Sequence, residues 1–323
     1  MCTAISFQTK DHYFGRNLDL EYHYNESVTI TPNNFHIQFR NGIRMDSHAA
    51  IIGMATVVDG YPLYYDATNE YGLSAAGLNF PENAHYQPPS SEKKNIAPFE
   101  LIPWVLTQCK TTTDAEELLK RTNITDTSFN PDFPNTPLHW MISDRQRTIV
   151  VEPSSDGIAI YHNDVCVLTN NPPFPYHRVN LCNYLNVTSD GATNRFTNKL
   201  ELHPYSRGMG GIGLPGDLSS ASRFVRAAFT KLNSVCEHTE NESVQQFFHI
   251  LETVAQTRGC AKVNDAFEIT LYSSCCNTDK GIYYYKTYNN PQITAIHLHH
   301  DDLDNDKLIC YPLRNACNLF YEN

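Results

Sequence analysis

Short runs of β-branched and aromatic residues, each closed by a turn signal, recur along most of this chain and restrict it to a fold dominated by sheets. Residues 3–8 and 12–17 flank Lys10-Asp11, a spacing that predicts an N-terminal hairpin. Further strand-like runs cover 50–58, 62–67, 73–78, 138–143, 148–152 and 165–169. The pattern returns at 267–272, 281–287 and 293–297, the last two joined by the turn Tyr288-Asn289-Asn290-Pro291. Helical periodicity is rarer. It places Phe99, Ile102, Val105 and Leu106 on one face of 97–109, and Phe224, Ala227 and Ala228 on one stripe of 220–232. Val244, Phe247, Phe248, Leu251 and Val254 do the same over 242–256, and a Thr run caps a helix over 114–121. Long strands with late helices predict an α+β arrangement, sheets covered by helices, in one unit over 1–323. No repeat or linker divides the chain, and 86–95 reads as an exposed loop.

Charge narrows the function. With 24 Lys+Arg against 35 Asp+Glu the formal net charge is −11, which opposes general nucleic-acid binding. The most apolar stretch, 49–58, is interrupted by Gly53 and Thr56 and falls short of the ~20 residues of a membrane span, so no membrane insertion is expected. Lys10, Asp11 and Arg16 precede any apolar segment of a signal peptide, and none of the ten cysteines forms a C-x-x-C pair. Reduced thiols and a cytoplasmic location follow as expectations, and the sequons at Asn25, Asn123, Asn186 and Asn241 read as chance.

Several motifs fail on context. Gly208, Gly210 and Gly213 match G-x-G-x-x-G, but polar residues 201–207 precede them and Pro215 interrupts the exit. Ser91 and Lys94 match S-x-x-K without the S-D-N and K-T-G partners, and Gly72 to Gly77 is one residue too long for a nucleophile elbow around Ser74. Asp302, Asp304 and Asp306 lack the Gly and Glu of a calcium loop. His297, His299 and His300 carry no H-E-x-x-H and read as surface histidines, so no metal is expected. Cys275 and Cys276, adjacent on a strand, should face opposite sides as structural residues.

Cys2 is different. Initiator Met removal is favoured before a small side chain, and it would leave one residue bearing a thiol and a free α-amine. The reference pKa of such an amine, about 7.7–8.0, suits it to hold or release a proton beside the sulfur. Arg16 and Asp19 follow in the next strand of the hairpin. A guanidinium near the sulfur would favour thiolate, and a carboxylate would hold the amine. The alternative is a surface ion pair at i,i+3.

Met1-Cys2-Thr3, Gly15-Arg16-Asn17-Leu18-Asp19, Ala76-Gly77-Leu78-Asn79-Phe80-Pro81 and Leu138-His139-Trp140-Met141-Ile142-Ser143-Asp144 are followed by Leu168-Thr169-Asn170-Asn171-Pro172 and Gly213-Leu214-Pro215-Gly216-Asp217. With Ser222-Arg223-Phe224 and Gly281-Ile282-Tyr283-Tyr284-Tyr285, this ordered set resembles the choloylglycine hydrolase family over nearly the whole chain. That family contains bile salt hydrolases and penicillin V acylases. The resemblance implies an N-terminal nucleophile hydrolase, an αββα sandwich of two antiparallel sheets between helical layers. It implies cleavage of a non-peptide C–N amide bond without cofactor or metal. Cys2 would be the nucleophile with its α-amine as proton shuttle, Arg16 would tune the thiol and Asp19 would orient the N-terminal group. Asn79 and Asn170 would form the oxyanion hole, Asn170 rather than Asn171 because the pattern is L-T-N-x-P, and Arg223 would support the nucleophile electrostatically. By their residues alone, Asn79 reads first as a turn cap before Pro81 and Arg223 as a helix-surface charge; the ordered set of motifs is what favours the catalytic roles.

Penicillin V acylases typically carry Tyr where this chain has Asn79, so the resemblance favours the bile salt branch. The substrate would be a small molecule, a bile acid conjugated to glycine or taurine, with Leu18 and Asn79 lining its site. A homotetramer is the expectation carried over from the family. Two alternatives stand beside this: a penicillin V acylase of the same mechanism, and a non-catalytic binder of amphipathic acids in which retained Met1 blocks Cys2.

Overall fold

The computed structural model describes residues 1–323. Strands Cys2–Gln8 (β1) and His12–Leu20 (β2) form the expected hairpin, in antiparallel register from Cys2↔Leu18 to Gln8↔His12. They are followed by Ser27–Thr31 (β3), Ile51–Val58 (β4), Tyr61–Asn69 (β5), Ser74–Asn79 (β6), Leu138–Ser143 (β7), Thr148–Ser154 (β8), Gly157–His162 (β9) and Val167–Leu168 (β10). Ile269–Asn277 (β11), Ile282–Thr287 (β12), Thr294–His297 (β13) and Ile309–Pro312 (β14) complete two antiparallel sheets. One has six strands in the order β10-β1-β2-β11-β12-β13. The other has eight, in the order β9-β8-β7-β6-β5-β4-β3-β14.

Side-chain alternation along the strands sets the layers. On β4 Ile52 and Met54, on β6 Ala76 and Leu78, and on β7 Met141 join the six-stranded sheet in a core of 37 buried residues. Their alternates Ile51, Ala75, Trp140 and Ile142 face the other way, into a separate core of 22 residues under Leu101–Leu106 (α1) and Thr112–Lys120 (α2). Ser220–Asn233 (α4) and Glu240–Glu252 (α5) supply Phe224, Phe247 and Leu251 to the first core from the opposite side, and the short helix Phe174–Asn180 (α3) packs beside them. The result is helices, sheet, sheet, helices, the αββα sandwich that the family resemblance implied. Each large side chain buried this way contributes about 1.5–3 kcal/mol.

Differences from the sequence reading are local. The helix expected over 97–109 is a 3-10 turn, Pro98–Glu100, running into α1, because Pro98 opens it and Thr107 ends it. The run at 165–169 contracts to two residues because Cys166 takes φ 56. β11 begins at Ile269 and runs on to Asn277, longer than expected, since this central strand is covered on both faces. For the same reason Cys275 and Cys276 are both buried. Strands β3, β9 and β14 were not legible at all. No helix is long and apolar enough to cross a membrane.

Candidate active site

The hairpin register places Cys2 opposite Leu18 and Ala4 opposite Arg16. Arg16 and Leu18 therefore share a strand face, turned between the two sheets, while Asn17 and Asp19 face the helices. Asn17 Nδ2 accordingly donates to the Leu251 carbonyl of α5 at 2.9 Å. Odd spacing along β2 rules out the surface ion pair between Arg16 and Asp19. Both are fully buried instead, on opposite sides of the strand end that carries Cys2.

Arg16 crosses from its own sheet to the other. Its Nη1 donates to the Tyr65 carbonyl at 3.0 Å and to the Gly77 carbonyl, and its Nε to the Asn17 carbonyl at 3.3 Å. Nη2 is buried without a partner. Burial works against its charge, but Cys2, Tyr272, Asp66 and Asp19 together outweigh that and raise its pKa. Gly77 can serve as acceptor because β5 pairs with β6 only as far as Ala76, leaving the rest of that edge open.

Asn79 lies on the same open edge. Phe80 N–H bonds to the Pro137 carbonyl at 2.8 Å, so by ladder alternation the Asn79 N–H and C=O face away from β7, into that open edge. The Asn79 carbonyl accepts a bond from Asn170 Nδ2 at 2.7 Å. Its side chain makes no hydrogen bond and lines the cavity described below.

Asn170 is placed by β10, which pairs with β1 at Ala4↔Leu168 and delivers the next residues beside Cys2. Its Oδ1 accepts the Cys2 N–H at 2.9 Å and Arg223 Nη2 at 2.6 Å. Its backbone N–H bonds to Ser220 Oγ at 2.8 Å, which fastens it to the start of α4. That helix is capped by Ser219, with Asp217 accepting from Ser219 N–H at 2.9 Å and from Ser222 Oγ at 2.6 Å. Hydrogen bonds from Ser219 and Ser222 hold the Asp217 carboxyl down to about 2. One turn in, Arg223 is fully buried, not a surface charge. It donates to the Cys2 carbonyl, to Thr3 Oγ1 at 2.8 Å and to the Leu218 carbonyl at 3.0 Å.

Asp19 Oδ1 accepts a bond from Thr270 Oγ1 at 2.6 Å, while Oδ2 is buried without a partner. Burial pushes its pKa up, against the N-terminal ammonium, Arg223, the Thr270 hydroxyl and Arg16. With Met1 in place, the ammonium donates to the Asp19 carbonyl at 3.0 Å and pairs with the buried Glu268 carboxylate. Glu268 and Thr270 escaped the sequence reading although both fall in the strand-like run 267–272. So did two buried histidines that hold the Asn170 segment. His139 Nε2 meets the Thr169 carbonyl at 2.8 Å, and His177 Nε2 meets that of Asn170 at 2.9 Å. His139 stood inside a motif, but nothing marked its role.

Cys2, Arg16, Leu18 and Asn79 open on a cavity of about 330 Å³. Of its 21 lining residues 13 are hydrophobic, among them Leu20, Leu63, Ile102 and Phe133, so it suits an apolar group ending at the sulfur. The six residues expected to do chemistry thus converge on one strand end. Asp302, Asp304 and Asp306 sit elsewhere, and no group of three or more His, Cys, Asp or Glu side chains has the geometry to hold a metal ion.

The comparisons with known proteins agree with this geometry. Residues 2–311 match the sequence profile of the linear amide C–N hydrolases, choloylglycine hydrolase family. The chain is 51% identical over 324 residues to a bile salt hydrolase/transferase of Lactiplantibacillus plantarum, and 37% identical over 329 residues to one of Clostridium perfringens, in both cases covering 100% of each chain. A crystal structure of a conjugated bile acid hydrolase from Clostridium perfringens superposes with a TM-score of 0.92 at 36% identity, covering 100% of both chains. The penicillin V acylase of Agrobacterium tumefaciens shares the fold, with a TM-score of 0.76 at 17% identity over 95% of this chain and 90% of its own. By profile, relatives and fold, the chain belongs to the choloylglycine hydrolase family of linear amide C–N hydrolases.

Proposed function

We propose that this enzyme hydrolyses the amide bond of bile acids conjugated to glycine or taurine, with Cys2, exposed by loss of Met1, as nucleophile. The observation that carries the reading is the position of Cys2 in the wall of a largely apolar cavity, its nitrogen 2.9 Å from Asn170 Oδ1. The steroid acyl group fits the apolar walls, with Leu18 among them, and its amide carbonyl reaches the sulfur.

In this reading the thiol proton passes to the Cys2 α-amine as sulfur attacks the carbonyl carbon. Asn170 Oδ1 accepts one amine N–H, which aims the lone pair, and the unpartnered Asp19 Oδ2 faces the positive charge that forms. Charge on the substrate oxygen is met by the outward Asn79 N–H and by the second N–H of Asn170 Nδ2, since one is already used on the Asn79 carbonyl. Collapse breaks the C–N bond, and the amine returns its proton to the departing glycine or taurine. Water then hydrolyses the thioester, its proton passing through the same amine. Arg16 and Arg223 bring positive charge to either side of Cys2, fixed by backbone carbonyls that cannot neutralise it.

A homotetramer is proposed as the working assembly. Leu185, Phe196, Leu200, Leu202, Tyr205 and Ile212 are exposed along the otherwise polar segment 185–212, apolar side chains that a further copy would cover. All ten cysteines are free, which supports a reducing, cytoplasmic setting. Initial rates on glycocholate, taurocholate and penicillin V test the substrate. Preference for the bile acid conjugates is expected, and preference for penicillin V by orders of magnitude overturns the assignment.

A further inference from the structure

Beside the acyl cavity lies a second one of about 320 Å³, and the two share Phe99 and Phe129 as lining. Those rings meet edge to face at 5.3 Å, and Tyr61 packs on them at 5.9 and 5.8 Å. The aromatic trio is thus a partition between the two spaces. Its halves differ in anchorage. Phe99 sits on the turn Pro98–Glu100 that leads into α1. Phe129 sits on the irregular segment 126–137, which also gives Asp132, Phe133 and Pro134 to the acyl cavity.

Arg40 joins the halves. It lies in the small hairpin formed by Ile37–Gln38 and Arg44–Met45. Its backbone N–H donates to Glu100 Oε1 at 2.6 Å, and Glu100 Oε2 in turn accepts the Ala97 N–H at 2.8 Å, so the Arg40 backbone is tied to the turn that bears Phe99. Its Nη2 donates to the Phe129 carbonyl at 2.7 Å. The guanidinium carbon lies 5.4 Å from the Phe129 centroid and 5.8 Å from that of Phe99, within cation–π range of both. Arg40 lines the second cavity and not the acyl cavity.

We propose that Arg40 is a specificity-determining positioning residue: by pinning Phe129 to Phe99 it closes the acyl cavity off from the second cavity and so limits the length of acyl group that the enzyme accepts. The inference rests on the acyl group occupying the cavity at Cys2, as proposed above. Released from Arg40, the Phe129 segment would swing aside and join the two spaces, and amides of long linear fatty acids would gain access without any change in the chemistry.

The test is the ratio of kcat/KM for N-palmitoylglycine to that for N-octanoylglycine, with glycocholate as control. Arg40→Ala should raise this ratio by about tenfold or more, through KM, while kcat on glycocholate stays at the wild-type value. A role in stability alone would lower Tm and leave the ratio untouched. Phe129→Leu, which thins the partition itself, should move the ratio the same way and decides the matter if Arg40→Ala does not fold. An unchanged ratio in folded Arg40→Ala with glycocholate turnover intact overturns the proposal. Absence of glycocholate turnover in the wild type would instead overturn the substrate assignment.

Discussion

One oxygen, Oδ1 of Asn170, lies 2.9 Å from the nitrogen of Cys2 and 2.6 Å from Nη2 of Arg223, so a loop residue, a strand end and a helix are fixed to one another at one atom. The same side chain reaches the Asn79 carbonyl through Nδ2 at 2.7 Å and thereby ties the six-stranded sheet to the eight-stranded one. The catalytic geometry proposed above depends on that link.

Asn170→Ala should therefore lower kcat on glycocholate by about 10²–10³, the usual cost of losing one oxyanion donor. Steady-state kinetics alongside a circular dichroism spectrum check this. KM should change far less than kcat.

Arg223→Lys keeps the charge and loses the fork that reaches Cys2, Thr3 and Asn170 together. A lysine cannot replace that planar set of donors, so kcat should fall by about tenfold or more with the fold retained. Equal activity in the two proteins would show that charge alone suffices.

Asp19→Asn removes the buried carboxylate whose Oδ2 has no partner in the protein. If that oxygen meets the charged α-amine during proton transfer, kcat should fall by about 10² or more, within the range of general acid–base effects. Tm should not fall in step, because Asn can still accept the Thr270 hydrogen bond.

His12 gives a pH prediction. Burial, outweighing Asp279 and Asp144, drives its imidazole down to about 4 from 6.5, between Ser6 Oγ and Thr278 Oγ1, each 2.8 Å away. The unfolded chain takes up this proton near pH 6.5 and the folded one only near 4. Stability is whole above pH 6.5 and falls as pH drops toward 4, by about 3 kcal/mol for this group. Urea titrations from pH 7 to 4.5 should show the decline, and His12→Gln should flatten it.

The hairpin of β1 and β2, most other strands and four of the helices were legible because their apolar period and turn residues agree with the tertiary contacts. Strand β9 was not, since every residue from Gly157 to Tyr161 is only half-buried and the apolar signal is diluted. Cys2, Arg16 and Asp19 declared themselves by chemistry and by closeness along the hairpin. Asn79, Asn170 and Arg223 became visible only through the family resemblance, because they come together across 91 and 53 residues of chain. Glu268, His139 and His177 stayed hidden, since a buried ionisable residue looks in sequence like an exposed one, whether it lies on a strand as His139 does, just before one as Glu268 does, or in a helix as His177 does.

The most direct measurement is the mass of the N-terminal peptide after acid quench during turnover of glycocholate. A peptide that begins at Cys2 and carries a cholyl group on its sulfur is the predicted result. An acyl adduct on any other residue, or full turnover by protein that still bears Met1, would contradict it.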